Sequence, residues 1–379
     1  MSTLTSRSEK DLFIIDEGIT YLNCASMSPM LKTVKAAGLQ ALETCTSPWK
    51  ISSEDWFING EKLRGLVAKI FQSSPDNISF IPSASYGLAT AAKNLKLQAG
   101  KEIIILEQQF PSNYYVWENL AQQYNLKIVT IARSTDKQLT ESILEKINKN
   151  TGLVAIPNCH WIDGAWIDLK KISDAVKTVN SYFVLDLSQS LGALPIDIED
   201  IQPDFAVSVG YKWLLGPYSL GYMYVAKKWH DKGEPLEYSW MTRKGSEDFT
   251  SLTSYETDYR TGARKFDMGE FSNFNLLPMA IAALEQIIQW KVSIIQVTIS
   301  NLNKSIIDYK NKILTSDLKF TSVGHITSIP LGNLNVNTLK DRLKYNNVFV
   351  SFRGTSIRIA PHLYNNQADI AKLLACLQE

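Results

Sequence analysis

One lysine, Lys212, stands in the run "VSVGYKWLLGPYSLGYMYV" (Val207 to Val225), which otherwise holds apolar, aromatic, glycine, proline and serine residues. Lysine is among the residues least often fully buried, because desolvating an ammonium is costly. Two readings are open. The side chain can snorkel from a strand end, with its stem on apolar surface and its head in water. Alternatively it is desolvated. Its pKa then falls, and a neutral amine can form a Schiff base. Asp186 raises a similar question. It closes the apolar run "YFVLD", where an aspartate without a partner is unfavourable. It can be a helix N-cap or an Asx turn, or a carboxylate aimed at a cationic ring nitrogen. An aspartate and a lysine at neighbouring strand tips form the pair that pyridoxal phosphate needs. The lysine carries the cofactor as an imine, and the aspartate keeps its ring nitrogen protonated as an electron sink.

Such a pair needs a scaffold that ends several strands side by side. Between about residues 78 and 225, short β-branched runs recur: "ISFI", "EIIIL", "KIVTIA", "LVAIP", "YFVLDL", "DFAVSV" and "GYMYV". Most are followed by a helix-like stretch, such as Asn113–Tyr124, Thr140–Lys149 and Asp168–Asn180. This alternation predicts an α/β fold with a mostly parallel central sheet and helices on both faces. Ligands of such sheets bind at the carboxyl ends of the strands. After about Arg260 the pattern changes. Two helical stretches, Leu277–Lys291 and Val292–Thr315, precede the short strands "HITSIPL", "NVFVSF" and "SIRIA". A helix at Asn337–Tyr345 and another from Gln367 to the end complete a smaller α+β domain. The expected division is a large domain at 16–260 and a small one from 1–15 and 261–379.

The chain of 379 residues is 45% apolar and 20% charged, which is ordinary globular composition and enough for a large core. Net charge is +1 and no long block of one sign appears, so neither nucleic acid nor an anionic membrane surface is expected as a partner. The four cysteines are scattered without a CxxC pair, and the four histidines share no metal-ligand spacing. No metal is expected. The segment "MSTLTSRSEKDLFIIDEG" lacks the apolar core of a signal peptide, and no apolar run approaches membrane-spanning length. A cytoplasmic location is the simplest expectation. GxGxxG, P-loop, HExxH and GxSxG signatures are all missing, which disfavours a nicotinamide or zinc enzyme.

The stretch "LDLSQSLGALPIDI", followed by "VSVGYKWLLGPYSLGYMYV", resembles the class V aminotransferases. These are fold-type I pyridoxal phosphate enzymes that include cysteine desulfurases, kynureninases and isopenicillin N epimerase-like proteins. The resemblance runs from "YLNCASMSP" at Tyr21 to "SIRIAPHLYNN" at Ser356–Asn366. It implies that Lys212 is the Schiff-base lysine, Asp186 the partner of the ring nitrogen, and Gln189 a contact near the ring's phenolate oxygen. It implies a phosphate loop at Ser83, Ala84 and Ser85, where a helix N-terminus would suit a phosphate. A serine N-cap predicts the same residues. By the same resemblance Phe110 stacks on the ring, and Tyr211 lies beside the cofactor. Gly262 and Ala263, in "YRTGARKF", reach across a homodimer to the partner's cofactor phosphate. Arg358 grips a substrate α-carboxylate, with Ala25 also on the substrate side; a surface arginine on a strand is the alternative.

Some positions depart from the family pattern. Tyr211 stands where many relatives have histidine, and Val209 where they often have a phosphate-binding serine, Ser208 being one place off. Trp161 replaces the asparagine of desulfurases. The loop "RGTSIRIAP" has no cysteine, whereas desulfurases carry their persulfide-forming cysteine in this region. The resemblance implies an amino-acid enzyme that removes the Cα proton with the freed Lys212 amine. Transamination is the favoured outcome, with cysteine desulfurase, C–S lyase or epimerase chemistry as alternatives. A non-catalytic, cofactor-binding regulator is the alternative of another class.

Overall fold

The computed structural model describes residues 8–133, 137–313, 321–332 and 334–378. Twelve strands occur among these residues: β1 (Thr20–Tyr21), β2 (Ile78–Ile81), β3 (Glu102–Leu106), β4 (Lys127–Ile131), β5 (Thr151–Pro157), β6 (Tyr182–Asp186), β7 (Phe205–Val209), β8 (Gly221–Val225), β9 (Thr327–Pro330), β10 (Val348–Phe349), β11 (Ser351–Arg353) and β12 (Ser356–Ile359). Seven of them form one sheet in the order β2-β8-β7-β6-β5-β3-β4. All neighbours in it are parallel except at β8, which runs antiparallel to both β2 and β7. The expected mostly parallel sheet is therefore present, with "GYMYV" as its one reversed strand.

Helices cover both faces because alternate residues of each strand are claimed by different cores. Ile103 and Ile105 of β3 pack with Leu88 and Trp117 of the helices Ala84–Asn94 and Ser112–Tyr124. Ile104 and Leu106 pack with the opposite layer, which includes Leu63 of the helix Asp55–Phe71 and Ile172 of the helix Leu169–Thr178. A strand buried on both sides reads as a continuous apolar run, which is why "EIIIL" shows no alternation.

The smaller unit has a three-stranded antiparallel sheet, β11-β12-β9, and a two-stranded parallel pair, β1-β10. Its core joins Leu22, Ile306, Ile329, Leu339, Ile357 and Leu373. Those residues come from β9 and β12, from the helices Val292–Ile313, Val336–Tyr345 and Gln367–Gln378, and from the stretch just after β1. The expected helix Val292–Thr315 is seen to Ile313, and its last two residues lie outside the described ones.

Two expectations differ from what is found. The helix expected over Thr140–Lys149 is only Leu139–Leu144. Beyond it, Asn150 N–H donates to Asn148 Oδ1 at 2.8 Å, and Asn148 N–H to Thr151 Oγ1 at 3.0 Å. These local bonds give the backbone a turn in place of another helical one. Nor does packing break after Arg260. The helix Leu276–Trp290 lies against the helices Lys32–Cys45 and Asp55–Phe71. The turn Gly262–Phe266 lies on β2, and Arg64 Nη2 holds Asp267 Oδ2 at 2.7 Å with both side chains buried. Asp267 Oδ1 also accepts from the Phe80 N–H of β2 at 2.8 Å.

Candidate functional site

Strands β2, β3, β5, β6 and β7 all stop at one edge of the sheet. The loops that follow them enclose a cavity of about 330 Å³. A parallel sheet provides this naturally, since every strand delivers its next loop to the same edge.

Lys212 enters from the loop after β7. It is 7% exposed, so its head does not snorkel to water. Burial lowers its pKa to about 8; the Asp186 carboxylate opposes that shift, and the guanidiniums of Arg358 and Arg353 add to it. Its Nζ lies 5.3 Å from the Phe110 ring centroid and 5.8 Å from that of Tyr211. The loop is tightly constrained. Leu215 and Ser219 adopt φ of 56° and 64°, a left-handed conformation unusual outside glycine. The loop after β6 passes close beneath: at Gly192, with φ of +95°, a Cβ would lie 2.5 Å from the Trp213 carbonyl oxygen.

Asp186 ends β6 and is buried, its Oδ1 accepting from the Ser188 N–H at 3.0 Å. That bond is the local turn expected of an aspartate here, yet Asp186 also lines the cavity. Gln189 is held on three sides. Its Nε2 donates to Ala25 O at 3.0 Å, its Oε1 accepts from Trp213 Nε1 at 3.0 Å, and its carbonyl accepts from His325 Nε2 at 2.6 Å. Ser83 is the N-cap of the helix Ala84–Asn94, accepting from Tyr86 N–H at 3.2 Å and facing Ser85 Oγ at 2.9 Å. Phe110 forms the opposite wall, edge to face with Trp161 at 5.5 Å.

Eight of the residues expected at the site therefore line one cavity: Ser83, Ala84, Ser85, Phe110, Asp186, Gln189, Tyr211 and Lys212. Four do not. Ala25 lies behind Gln189. Arg358, 1% exposed on β12, stands behind Trp161, donating from Nη1 to the Trp161 carbonyl at 3.0 Å and from Nη2 to Asn23 Oδ1 at 3.5 Å. It is no surface arginine. Its Nε is buried without a partner, and no carboxylate among the described residues forms an ion pair with it. Burial, then the neighbouring Arg353, pulls its pKa down to about 9. Gly262 lines a separate surface cleft beside Arg260 and Lys265, and Ala263 is fully buried in its own chain. At Gly262, with φ of +73°, a Cβ would fall 2.5 Å from the Asp76 carbonyl oxygen.

Several lining residues were not anticipated. Ser188 sits inside the motif that located Asp186 and Gln189, and its buried Oγ has no partner. His160 follows β5, with Nε2 at 3.1 Å from Glu107 O; burial foremost lowers its pKa. Ser219 carried no sequence signal, being ten residues beyond β7 and returned to the cavity only by the loop's fold.

The donor set suits pyridoxal phosphate. It combines a buried amine of lowered pKa, a buried carboxylate, an unpartnered hydroxyl, and serines at the N-terminus of an 11-residue helix, where an anion is favoured. Among the described residues no cluster of histidine, cysteine and carboxylate could hold a metal, and no helix is long and apolar enough to cross a membrane. Cys24 and Cys159 are fully buried, and burial pushes both thiols far up.

The family model described as Aminotransferase class-V matches residues 52–373. The chain is 26% identical over 314 residues to the "Uncharacterized aminotransferase YcbU" of Bacillus subtilis, covering 82% of this chain and 80% of that one. It is 29% identical over 231 residues to a "Probable cysteine desulfurase" of Mycoplasma genitalium, covering 60% of this chain and 54% of that protein. Among solved structures, a lysine-to-alanine mutant of C-DES, with glycine covalently linked to its pyridoxal phosphate, superimposes with a TM-score of 0.86 at 16% identity, over 98% of this chain and 99% of that one. The apo cysteine desulfurase of Thermococcus onnurineus NA1 gives a TM-score of 0.83 at 19% identity, over 100% and 98%.

Proposed function

Because the chain belongs to the class-V aminotransferase family of pyridoxal phosphate enzymes, we propose that it acts on α-amino acids and that Lys212 carries the cofactor. One observation carries this reading: a buried amine of lowered pKa facing a buried carboxylate in the cavity at the strand ends. Ser83, Ala84 and Ser85 would hold the cofactor's phosphate, Asp186 its ring nitrogen and Phe110 its ring face, with Gln189 and Tyr211 beside it. Bound there, pyridoxal phosphate supplies an electron sink for charge developing at the substrate's Cα. Lys212 Nζ takes the Cα proton, since an amine with a pKa near 8 is partly neutral at working pH. Phe110, Tyr211 and Trp161 wall the cavity in which that transfer takes place. Arg358 holds the α-carboxylate once Trp161 gives way, which supplies the anion its guanidinium lacks.

Transamination is the outcome we favour, in keeping with the relative named an aminotransferase along most of its length. The second reading is C–S bond cleavage, supported by the similarity to cysteine desulfurases. In that case no protein persulfide forms. The loop Arg353–Pro361 lacks cysteine, and the buried Cys24 and Cys159 stay protonated thiols, whereas the thiolate is the nucleophile. Screening the holoenzyme's visible spectrum against a panel of amino acids, with products identified by mass spectrometry, tests this. A keto acid with the aminated cofactor means transamination. Sulfide from cysteine or cystine means lyase chemistry, and an inverted α-carbon means epimerisation. Cofactor binding with no amino-acid response sinks the enzyme reading and leaves a regulator.

Two further outcomes are expected. Arg358→Lys lowers catalytic efficiency on α-amino acids about ten- to a hundredfold, because an ammonium cannot reproduce the guanidinium fork and a charged hydrogen bond contributes roughly 1.5–3 kcal/mol. An amine lacking the carboxylate loses much less. Paired kinetics check this, and equal losses would make Arg358 structural. The active species is a two-fold homodimer in which Gly262 approaches the partner's phosphate site. Sedimentation showing a fully active monomer would refute it.

A further inference from the structure

Arg353 ends β11, directly beside β12, and the register sets Arg353 opposite Ser356 and Ser351 opposite Arg358. Residues two apart on a strand share a face, so both guanidiniums project from the same side of this hairpin. Both converge on one indole: their central carbons lie 5.4 Å (Arg353) and 6.0 Å (Arg358) from the Trp161 ring centroid. Two like charges so placed repel; Arg358 is buried and Arg353 half-buried. Among the described residues no carboxylate forms an ion pair with either. Among the described residues the Arg353 side chain makes one hydrogen bond, from Nη1 to the Phe352 carbonyl at 2.8 Å, and its Nε is buried without a partner. Arg353 lines a cleft of about 510 Å³, and Trp161 and Gln109 line both this cleft and the Lys212 cavity.

Resting on the amino-acid reading above, we propose that the substrate carries a second anionic group, a side-chain carboxylate that passes Trp161 and seats on Arg353, so that acidic α-amino acids are preferred. The α-carboxylate takes one guanidinium of the pair and the side-chain carboxylate the other, which relieves the repulsion between them. A neutral side chain leaves the half-buried Arg353 without an anion and the repulsion between the two guanidiniums unrelieved.

The test uses isosteric pairs. Dissociation constants of aspartate against asparagine, and of glutamate against glutamine, are measured by visible titration of the protein loaded with pyridoxal phosphate. At least one acidic member should bind on the order of ten- to a hundredfold more tightly than its amide, the ratio that a charged hydrogen bond supplies. Arg353→Gln should bring that ratio close to one, and Arg353→Lys should keep part of it. Calorimetry of the cofactor-free protein adds an arm independent of turnover: glutarate should bind more tightly than butyrate, and Arg353→Gln should abolish the difference. Equal affinities within both pairs in the wild type overturn the proposal even if the variants do not fold. So does a preference that survives Arg353→Gln. If no amino acid alters the spectrum while glutarate still depends on Arg353, the amino-acid reading has failed and the second anion site stands.

Discussion

Lys212→Ala, purified with pyridoxal phosphate, is expected to yield no borohydride-fixed adduct and to lose turnover by about 10³-fold or more. The variant removes both the amine that carries the cofactor and the base that takes the Cα proton. General-base catalysis alone contributes roughly 10²–10⁴-fold. Noncovalent binding persists, because Ser83, Ser85, Asp186 and Phe110 are untouched. Mass mapping of the reduced wild type checks the assignment, and an adduct on any other lysine would sink it. A pH signature accompanies the loss. The Lys212 pKa is about 8 folded against 10.5 for an ordinary lysine. Between those values the unfolded chain binds the extra proton, so stability of the cofactor-free wild type rises with pH across that window. Lys212→Ala should lack this rise. Denaturant unfolding at pH 7.5 and 10, chosen roughly to bracket the window, reads the difference.

The second large effect is expected at Asp186. Asp186→Ala leaves the fold intact, since among the described residues the one hydrogen bond of its side chain is the local turn to Ser188 N–H. Among the described residues it removes the one acidic side chain that lines the Lys212 cavity. Removing one preorganised electrostatic group from an active site costs roughly 10²–10³-fold in turnover, and a loss of that size is predicted. Deuterium exchange at the substrate's Cα should slow in parallel, because Cα deprotonation is the step the carboxylate supports. The Asp186 charge also raises the Lys212 pKa against the pull of burial, so its loss should move that pKa below about 8. The pH dependence of cofactor attachment shifts to lower pH accordingly. Near-normal turnover in Asp186→Ala would exclude the role.

Much of this was legible in the chain itself, for local reasons. An ammonium inside "GYKWLLGP" and a carboxylate ending "YFVLD" contradict their surroundings, and such contradictions mark sites. The β-strand and helix alternation from residue 78 to 225 is a short-range pattern that local sterics and apolar periodicity impose, and a mostly parallel sheet then delivers both residues to one edge. The aromatic Phe110 and the serines at 83–85 follow from the same loops. What only the tertiary structure decided depends on segments remote in sequence. Whether Lys212 is wet or buried turns on packing by Phe110 and Tyr211. That the segment from Gly262 to Trp290 belongs with the sheet depends on Arg64 reaching Asp267. Arg353 and Arg358 come from a hairpin, and Trp161 from a distant loop; their meeting has no signature in any one of the three. A residue's type and its neighbours in the chain set which chemistry it can do, but its desolvation and its partners are set by strands brought together over hundreds of residues, and those set which chemistry it does.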